Sequence, residues 1–293
     1  MKPRLMNQLS VLCLLTLTTL PVCAENAAYP LWCGPEIPSD PAKVPFAKGI
    51  EHRTILDARE HDYKFFHGAA IINFKGTFYA NWANSPLHEN YPNETLQGFH
   101  TKNPLGDWSP VEMIAPGYDG LDRHSHGAYL EHKGELWTFP ARFGVGAKGT
   151  RFSGLGAEAF VLNETTGKWE NRGRVMDNCW PYEEPEKMDN GNYIVGGQDK
   201  DGLPVIAISH GDNLLEWDSV LIPYHENLKP KFAETTVWAE GENVLAVIRG
   251  GAGEAWVSTS KDYGKTWEQA KPSNFPMPRS KAYLGKLSTG QLY

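Results

Sequence analysis

From Asp62 onward the chain alternates short apolar runs with glycine-bearing turns, and the same succession comes round four times. The first copy runs His67-Gly68-Ala69-Ala70-Ile71-Ile72, turns at Lys75-Gly76 and returns as Thr77-Phe78-Tyr79-Ala80-Asn81-Trp82. The second runs from His126-Gly127-Ala128-Tyr129-Leu130 over Lys133-Gly134 to Leu136-Trp137-Thr138-Phe139. The third opens at Pro181-Tyr182-Glu183-Glu184, turns at Asp189-Asn190-Gly191 and returns as Tyr193-Ile194-Val195. The fourth opens at Phe232-Ala233-Glu234-Thr235-Thr236-Val237, turns at Glu240-Gly241 and returns as Val244-Leu245-Ala246-Val247-Ile248. Short runs rich in β-branched and aromatic residues, bounded by Gly and Asn, predict strands joined in hairpins. No long apolar stripe at helical spacing interrupts them.

Each copy closes on a hairpin that ends in tryptophan: Trp108, Trp169, Trp217 and Trp267, spaced by 61, 48 and 50 residues. Four short strands in each unit of about 40–50 residues is the period of a propeller blade. The prediction is an all-β, six-bladed β-propeller of which this chain carries about four blades. A fifth unit is expected to open at Lys281-Ala282-Tyr283-Leu284-Gly285-Lys286-Leu287, so a truncation at the C-terminus is expected. Residues 61–293 form the partial propeller, and residues 25–60 an N-terminal segment that offers a ring-closing strand.

Residues 1–24 read as a signal peptide: Lys2 and Arg4, an apolar run from Leu9 to Leu20, and a small-residue cleavage site at Val22-Cys23-Ala24. The run is too short to span a bilayer. The expectation is a secreted or periplasmic protein with no membrane attachment after cleavage; lipoprotein anchoring at Cys23 is the less favoured alternative. Cys13 and Cys23 would leave with the signal. Cys33 and Cys179 remain, either paired or as two buried thiols.

The whole chain carries a net charge of −7, and loss of the signal's two basic residues takes it to about −9. That sign argues against nucleic acid. An acidic ligand must then be held by a local basic cluster. The stretch Arg123-His124-Ser125-His126-Gly127, read with Arg142, is such a cluster in what is otherwise plain β-sheet. In a blade, the start of the first strand and the end of the second face one central rim. His67, His126, Tyr182-Glu183-Glu184 and Glu234 occupy the first set of positions. Eight residues after each turn glycine stand Asn84, Arg142, Asp199 and Arg249, the second set. His124 and His126, two apart on a strand, are expected to share a face. With His67 or Glu183 they offer three metal ligands, but neither HExxH nor a paired CxxC is present, and no metal or other cofactor is expected.

The last hairpin, Ser260-Lys261-Asp262-Tyr263-Gly264-Lys265-Thr266-Trp267, matches S-x-D-x-G-x-T-W and resembles the Asp-box of sialidase-like (BNR) propellers; Ser209 to Trp217 resembles a decayed copy. Phe232-Ala233-Glu234-Thr235-Thr236-Val237 with Val247-Ile248-Arg249 resembles the sialidase segment in which a Glu opens a blade and an Arg ends its second strand. The resemblance implies a glycoside hydrolase in which Glu234 activates a tyrosine nucleophile and Arg249 is one of three arginines on the substrate carboxylate. The Arg-Ile-Pro tripeptide of the first arginine is absent, leaving Arg53 or Arg59; Asp57 and Asp62 are the acid/base candidates. The nucleophile and the third arginine are expected beyond Tyr293.

The histidines also resemble the pocket of propeller ulvan lyases. That resemblance implies β-elimination at a uronate, with Arg123, Arg142 or Arg249 on the carboxylate, His124 or His126 as base and Tyr182 or a His as acid. A third reading is a non-catalytic binder with Trp82, Trp180 and Trp238 as sugar platforms. All three readings share one partner, an acidic oligosaccharide or polysaccharide.

Overall fold

The computed structural model describes residues 28–45, 48–60, 64–117, 123–145, 152–225, 232–251, 253–287, 289–290 and 293. The proposed signal peptide, with Cys13 and Cys23, and Asp62 lie outside them. The described residues form strands and two short 3-10 turns, and no helix among them is long and apolar enough to cross a membrane.

Four antiparallel sheets follow one another along the chain. The first is β1 (Phe65–Phe74), β2 (Thr77–Ser85), β3 (Thr95–Thr101) and β4 (Glu112–Ala115) in that order. In the second, the first two positions are each split: β5 (Arg123–His124) and β6 (Tyr129–His132), then β7 (Glu135–Thr138) and β8 (Ala141–Val145). They are followed by β9 (Phe152–Asn163) and β10 (Lys168–Asp177). In the third, β11 (Trp180–Pro181) and β12 (Glu186–Lys187) share the first position before β13 (Tyr193–Gln198), β14 (Pro204–His210) and β15 (Asn213–Leu221). The fourth is β16 (Thr235–Glu240), β17 (Asn243–Ile248), β18 (Glu254–Ser260) and β19 (Lys271–Pro276). The fold is all-β, as the repeat predicts, and each copy is one sheet. The six-bladed count extends past the four sheets described.

The inner turns follow from their residues. Lys75 and Gly76 have φ of 49° and 76°, and Lys133 and Gly134 have 51° and 79°. Positive φ at both central positions is the type I′ turn, whose twist matches the flanking strands. Between neighbouring sheets the strands' apolar faces meet. Leu130, Phe139, Val195 and Val205 join the second and third sheets. Ile194, Ile206, Val237 and Ile248 join the third and fourth. Ile194, Ile206 and Ile248 have no exposed surface, so cutting any of them to Ala costs about 2–5 kcal/mol.

The Asp-box forms as its residues demand. Asp262 accepts from Thr266 N (2.8 Å) and Thr266 Oγ1 (2.6 Å), Gly264 sits at φ 82°, and Trp267 Nε1 donates to Gly264 O at 2.7 Å. We expect Asp262→Ala to lower stability by about 1–3 kcal/mol, from three lost bonds, the third being that from Ser260 Oγ at 2.8 Å, read as a shifted urea midpoint. The decayed copy keeps the tryptophan clasp, with Trp217 Nε1 donating to Leu214 O at 2.8 Å.

In the N-terminal segment, Tyr29 makes a parallel bridge to Ser273, on β19. Cys33 is exposed and Cys179 buried; they are free thiols, not a bridge, and Cys33 is not buried as the alternative reading had it. The stretch Lys281–Leu287, expected to open a fifth unit, holds none of the strands. It lies beside β16, where Leu284 N donates to Thr236 Oγ1 at 3.1 Å.

Candidate active site

Irregular backbone aims the site. Pro140 has no N–H to give the ladder, and the second sheet's first two strands break there. His126 falls in that break, 3% exposed, and turns toward Gly68 of the first sheet. Gly68 has φ 60°, and a Cβ there would stand 2.3 Å from the His126 ring. Glycine is therefore required at 68 for both reasons. Tyr182 occupies the corresponding break between β11 and β12, with its N–H donating to Gly196 O at 3.1 Å.

These side chains meet in a cavity of about 110 Å³ to which all four sheets contribute. His67, Glu89 and Asn90 come from the first, His126 and Phe152 from the second, Trp180, Tyr182 and Gln198 from the third, and Glu234 and Arg249 from the fourth, beside Phe232. The His67 and His126 rings lie 4.9 Å apart. His126 is 5.1 Å from Trp180 and 5.3 Å from Tyr182. Arg249 Nη1 pairs with Glu234 Oε2 at 2.6 Å, and His67 Nε2 stands 3.4 Å from Glu89 Oε1. The Lys281 ammonium lies 5.5 Å from the centre of the Tyr182 ring. His67 Nδ1, Asn90 Oδ1, Trp180 Nε1 and Gln198 Oε1 are buried and have no hydrogen-bond partner among the described residues. Buried polar atoms are nearly always satisfied, so four orphans on one cavity mark where a polar ligand or water belongs.

Burial, then the charges of Lys281 and His67, hold His126 well below the usual imidazole value. Burial also lowers His67, and Glu89 only partly opposes it. Both rings are therefore held toward the neutral form that accepts a proton. Burial and then the Glu234 carboxylate push the Tyr182 phenol well above its usual value, so it keeps its proton. The protein crowded around the Lys281 ammonium lowers it, although the side chain remains exposed.

Of the residues that the sequence nominates, six line this cavity: His67, His126, Tyr182, Glu234, Arg249 and the expected sugar platform Trp180. The others lie elsewhere, for identifiable reasons. His124 does not share a face with His126, because the pleat ends between them. It has no exposed surface, and its ring nitrogens face Pro116 O at 2.6 Å and Glu158 Oε2 at 3.2 Å. Arg142 is drawn to the same carboxylate, its Nη1 donating to Glu158 Oε1 at 2.5 Å. Burial would raise Glu158, but the bonds from His124, Arg142 and Asn171 outweigh it and bring its pKa down to about 2. Arg123 sits behind the cavity wall, its Nη1 donating to Asn90 O and its guanidinium 5.3 Å from the centre of the Phe143 ring. Trp82 is a core side chain, not a platform, with Phe99 and Phe66 at 4.7 and 5.7 Å.

Glu183 is a clasp between sheets. It accepts from Gly196 N at 3.0 Å, Val237 N at 2.7 Å and the Thr236 hydroxyl. Burial pushes its pKa up to about 8. In the unfolded chain it ionises near 4.5, so the folded state holds an extra proton between those values and stability falls as pH rises from 4.5 to about 8. We expect Glu183→Gln to flatten that fall, seen in urea midpoints measured across the window.

Glu89, Asn90, Gln198 and Lys281 escaped the sequence reading. Glu89, Asn90 and Lys281 lie outside the strands, where no period announces them; the signal for Gln198 was only its place at the end of β13, one residue before Asp199. Asp199 itself accepts from Asp201 N and Leu203 N and closes its own turn. Among the described residues no group of three or more potential metal ligands occurs.

A family model described as the BNR repeat-like domain matches residues 96–293. No curated protein matches the sequence. Among solved structures the chain is similar to a Dyadobacter fermentans protein of unknown function, at 16% identity over 78% of this chain and 74% of that one, with a TM-score of 0.60. It is also similar to the NanB sialidase of Streptococcus pneumoniae, at 9% identity over 79% and 55%, with a TM-score of 0.57. The leech intramolecular trans-sialidase, in complex with 2,7-anhydro-Neu5Ac, is similar at 11% identity over 77% and 53%, with a TM-score of 0.60. The chain spans little more than half the length of these two sialidases. At such identities the likeness is one of fold. With more than half of its length matched by the family model, the chain belongs to the BNR repeat-like family and carries the fold of the sialidase-like superfamily.

Proposed function

We propose that the central cavity binds an acidic sugar and that an exported enzyme containing this chain cleaves the glycosidic bond beside it. The observation that carries this reading is the set of four orphan polar atoms in a cavity lined also by Arg249 and two imidazoles, with the Lys281 ammonium beside its Tyr182 wall. A sugar acid supplies what such a lining lacks: hydroxyls for Gln198, Asn90, Trp180 and His67, and a carboxylate for the cations. The likeness to sialidases makes hydrolysis the first reaction to test. There Arg249, oriented by Glu234, would bind the substrate, and Glu234 would support a tyrosine nucleophile. Tyr182, kept protonated, suits a proton donor better than a nucleophile.

A specific observation favours a second chemistry, elimination: His67, His126 and Tyr182 stand in ring contact. His126 would take the proton from the carbon next to a uronate carboxylate. The electron pair would form the carbon–carbon double bond and expel the glycosidic oxygen, which takes the Tyr182 proton. One panel decides. Ultraviolet absorbance of an unsaturated product from uronate polysaccharides identifies elimination, and free sialic acid from sialosides identifies hydrolysis. Absence of both, with no binding of any acidic glycan, would overturn the reading.

A further inference from the structure

We propose that Lys281 is the cation that neutralises the carboxylate of the bound sugar and so selects acidic over neutral substrates; this deepens the acidic-sugar reading and rests on it. Arg249 lines the cavity and Lys281 stands over the ring of its lining residue Tyr182; the situations of the two cations differ. Arg249 is matched by Glu234 at 2.6 Å and leans on Phe232, with 5.7 Å from guanidinium to ring centre. An ion pair presents little net charge to a third group, and releasing Arg249 for a ligand would strand Glu234. Lys281 has no ion-pair partner among the described residues, and its ammonium stands over Tyr182, the ring that touches His126. Its segment is anchored at Leu284 N to Thr236 Oγ1, which holds the charge beside the Tyr182 ring.

That position also couples binding to chemistry. After burial, Lys281 is the largest cause of the lowered His126 value. A carboxylate seated on Lys281 cancels part of that field and raises the proton affinity of His126 when a charged substrate is present. A neutral sugar has no such effect, so the preference is expected in rate as well as in affinity.

The test uses the full chain and two probes, D-glucuronate and N-acetylneuraminate, each beside its methyl ester, titrated by calorimetry or NMR. The wild type is expected to prefer acid over ester by roughly ten- to a hundredfold. Lys281→Met should bring the ratio near one by weakening the acid alone, and Lys281→Arg should restore most of it. A residue that only shaped the loop would weaken acid and ester together and leave the ratio unchanged. Lys281→Met retaining the wild-type ratio overturns the assignment while the acidic-sugar reading stands. A wild type that binds an ester as tightly as its acid, or binds no acid, overturns both.

Discussion

Replacing His126 with glutamine is expected to lower turnover of the acidic glycan by about two to four orders of magnitude, the usual contribution of a positioned proton-transfer group. The residue is 3% exposed, which would ordinarily favour an apolar side chain, yet its ring turns into the cavity and meets both His67 and Tyr182. Burial, and after it the Lys281 charge, hold it neutral, so the base is present throughout the neutral range. The acid limb of the rate profile is therefore expected below the ordinary imidazole value of 6.5. Glutamine keeps a polar group of similar length and should leave the thermal midpoint nearly unchanged, which separates chemistry from folding. Rates within a few-fold of wild type would remove His126 from the mechanism. Under elimination, Tyr182→Phe should act on the same step and be non-additive with His126→Gln, because paired groups that serve one step fail as a unit.

Glu158→Ala is expected to produce the largest loss of stability, about 3–5 kcal/mol, because it removes one side of a buried charged network. Glu158 is 2% exposed and accepts from His124 Nε2 at 3.2 Å, Arg142 Nη1 at 2.5 Å and Asn171 Nδ2 at 2.7 Å. Those donors come from β5, β8 and β10, so one carboxylate on β9 ties together three other strands of the second sheet. With the carboxylate gone, three donors lose their acceptor: His124 in a space closed to water, Arg142 and Asn171 nearer the solvent. Chemical denaturation of the two proteins checks the figure. The pH dependence provides a second check, with a definite sign. The folded carboxylate titrates near 2 and the unfolded one near 4.5, so the network's stability is present above 4.5 and is lost as pH falls toward 2. The gap between wild type and variant should close across that window. A loss below about 1 kcal/mol would mean that water or a shifted side chain satisfies the three donors.

Much of the site was legible because a repeat makes predictions about position. Once four copies are aligned, the residues that open each first strand must face one rim, and four of those, His67, His126, Tyr182 and Glu234, do line the cavity. The second row was legible only in part. Arg249 reaches the cavity, but Arg142 is captured by Glu158, and Asn84 and Asp199 are taken up by packing and turn closure. No pattern in the sequence announces that capture: Glu158 lies sixteen residues from Arg142 and becomes its neighbour only when β8 pairs with β9. His124 fails for a related reason. Period two places it beside His126, but the rule holds only along an unbroken pleat, and Pro140 on the facing strand breaks this one.

What the amino-acid order settles alone is therefore local and periodic: strands from apolar runs, type I′ turns from glycine where φ is positive, the Asp-box from its own hydrogen bonds, and the fold that their repetition builds. These interactions act within a hairpin, so neighbouring residues suffice to specify them. Tertiary structure decides which charged groups neutralise one another and which stay available. Glu158 consumes Arg142 and His124, Glu234 engages Arg249, and Lys281 is left without an ion-pair partner among the described residues. Electrostatic pairing depends on distance in space, and residues from four sheets come within a few ångströms of one another only after the sheets pack.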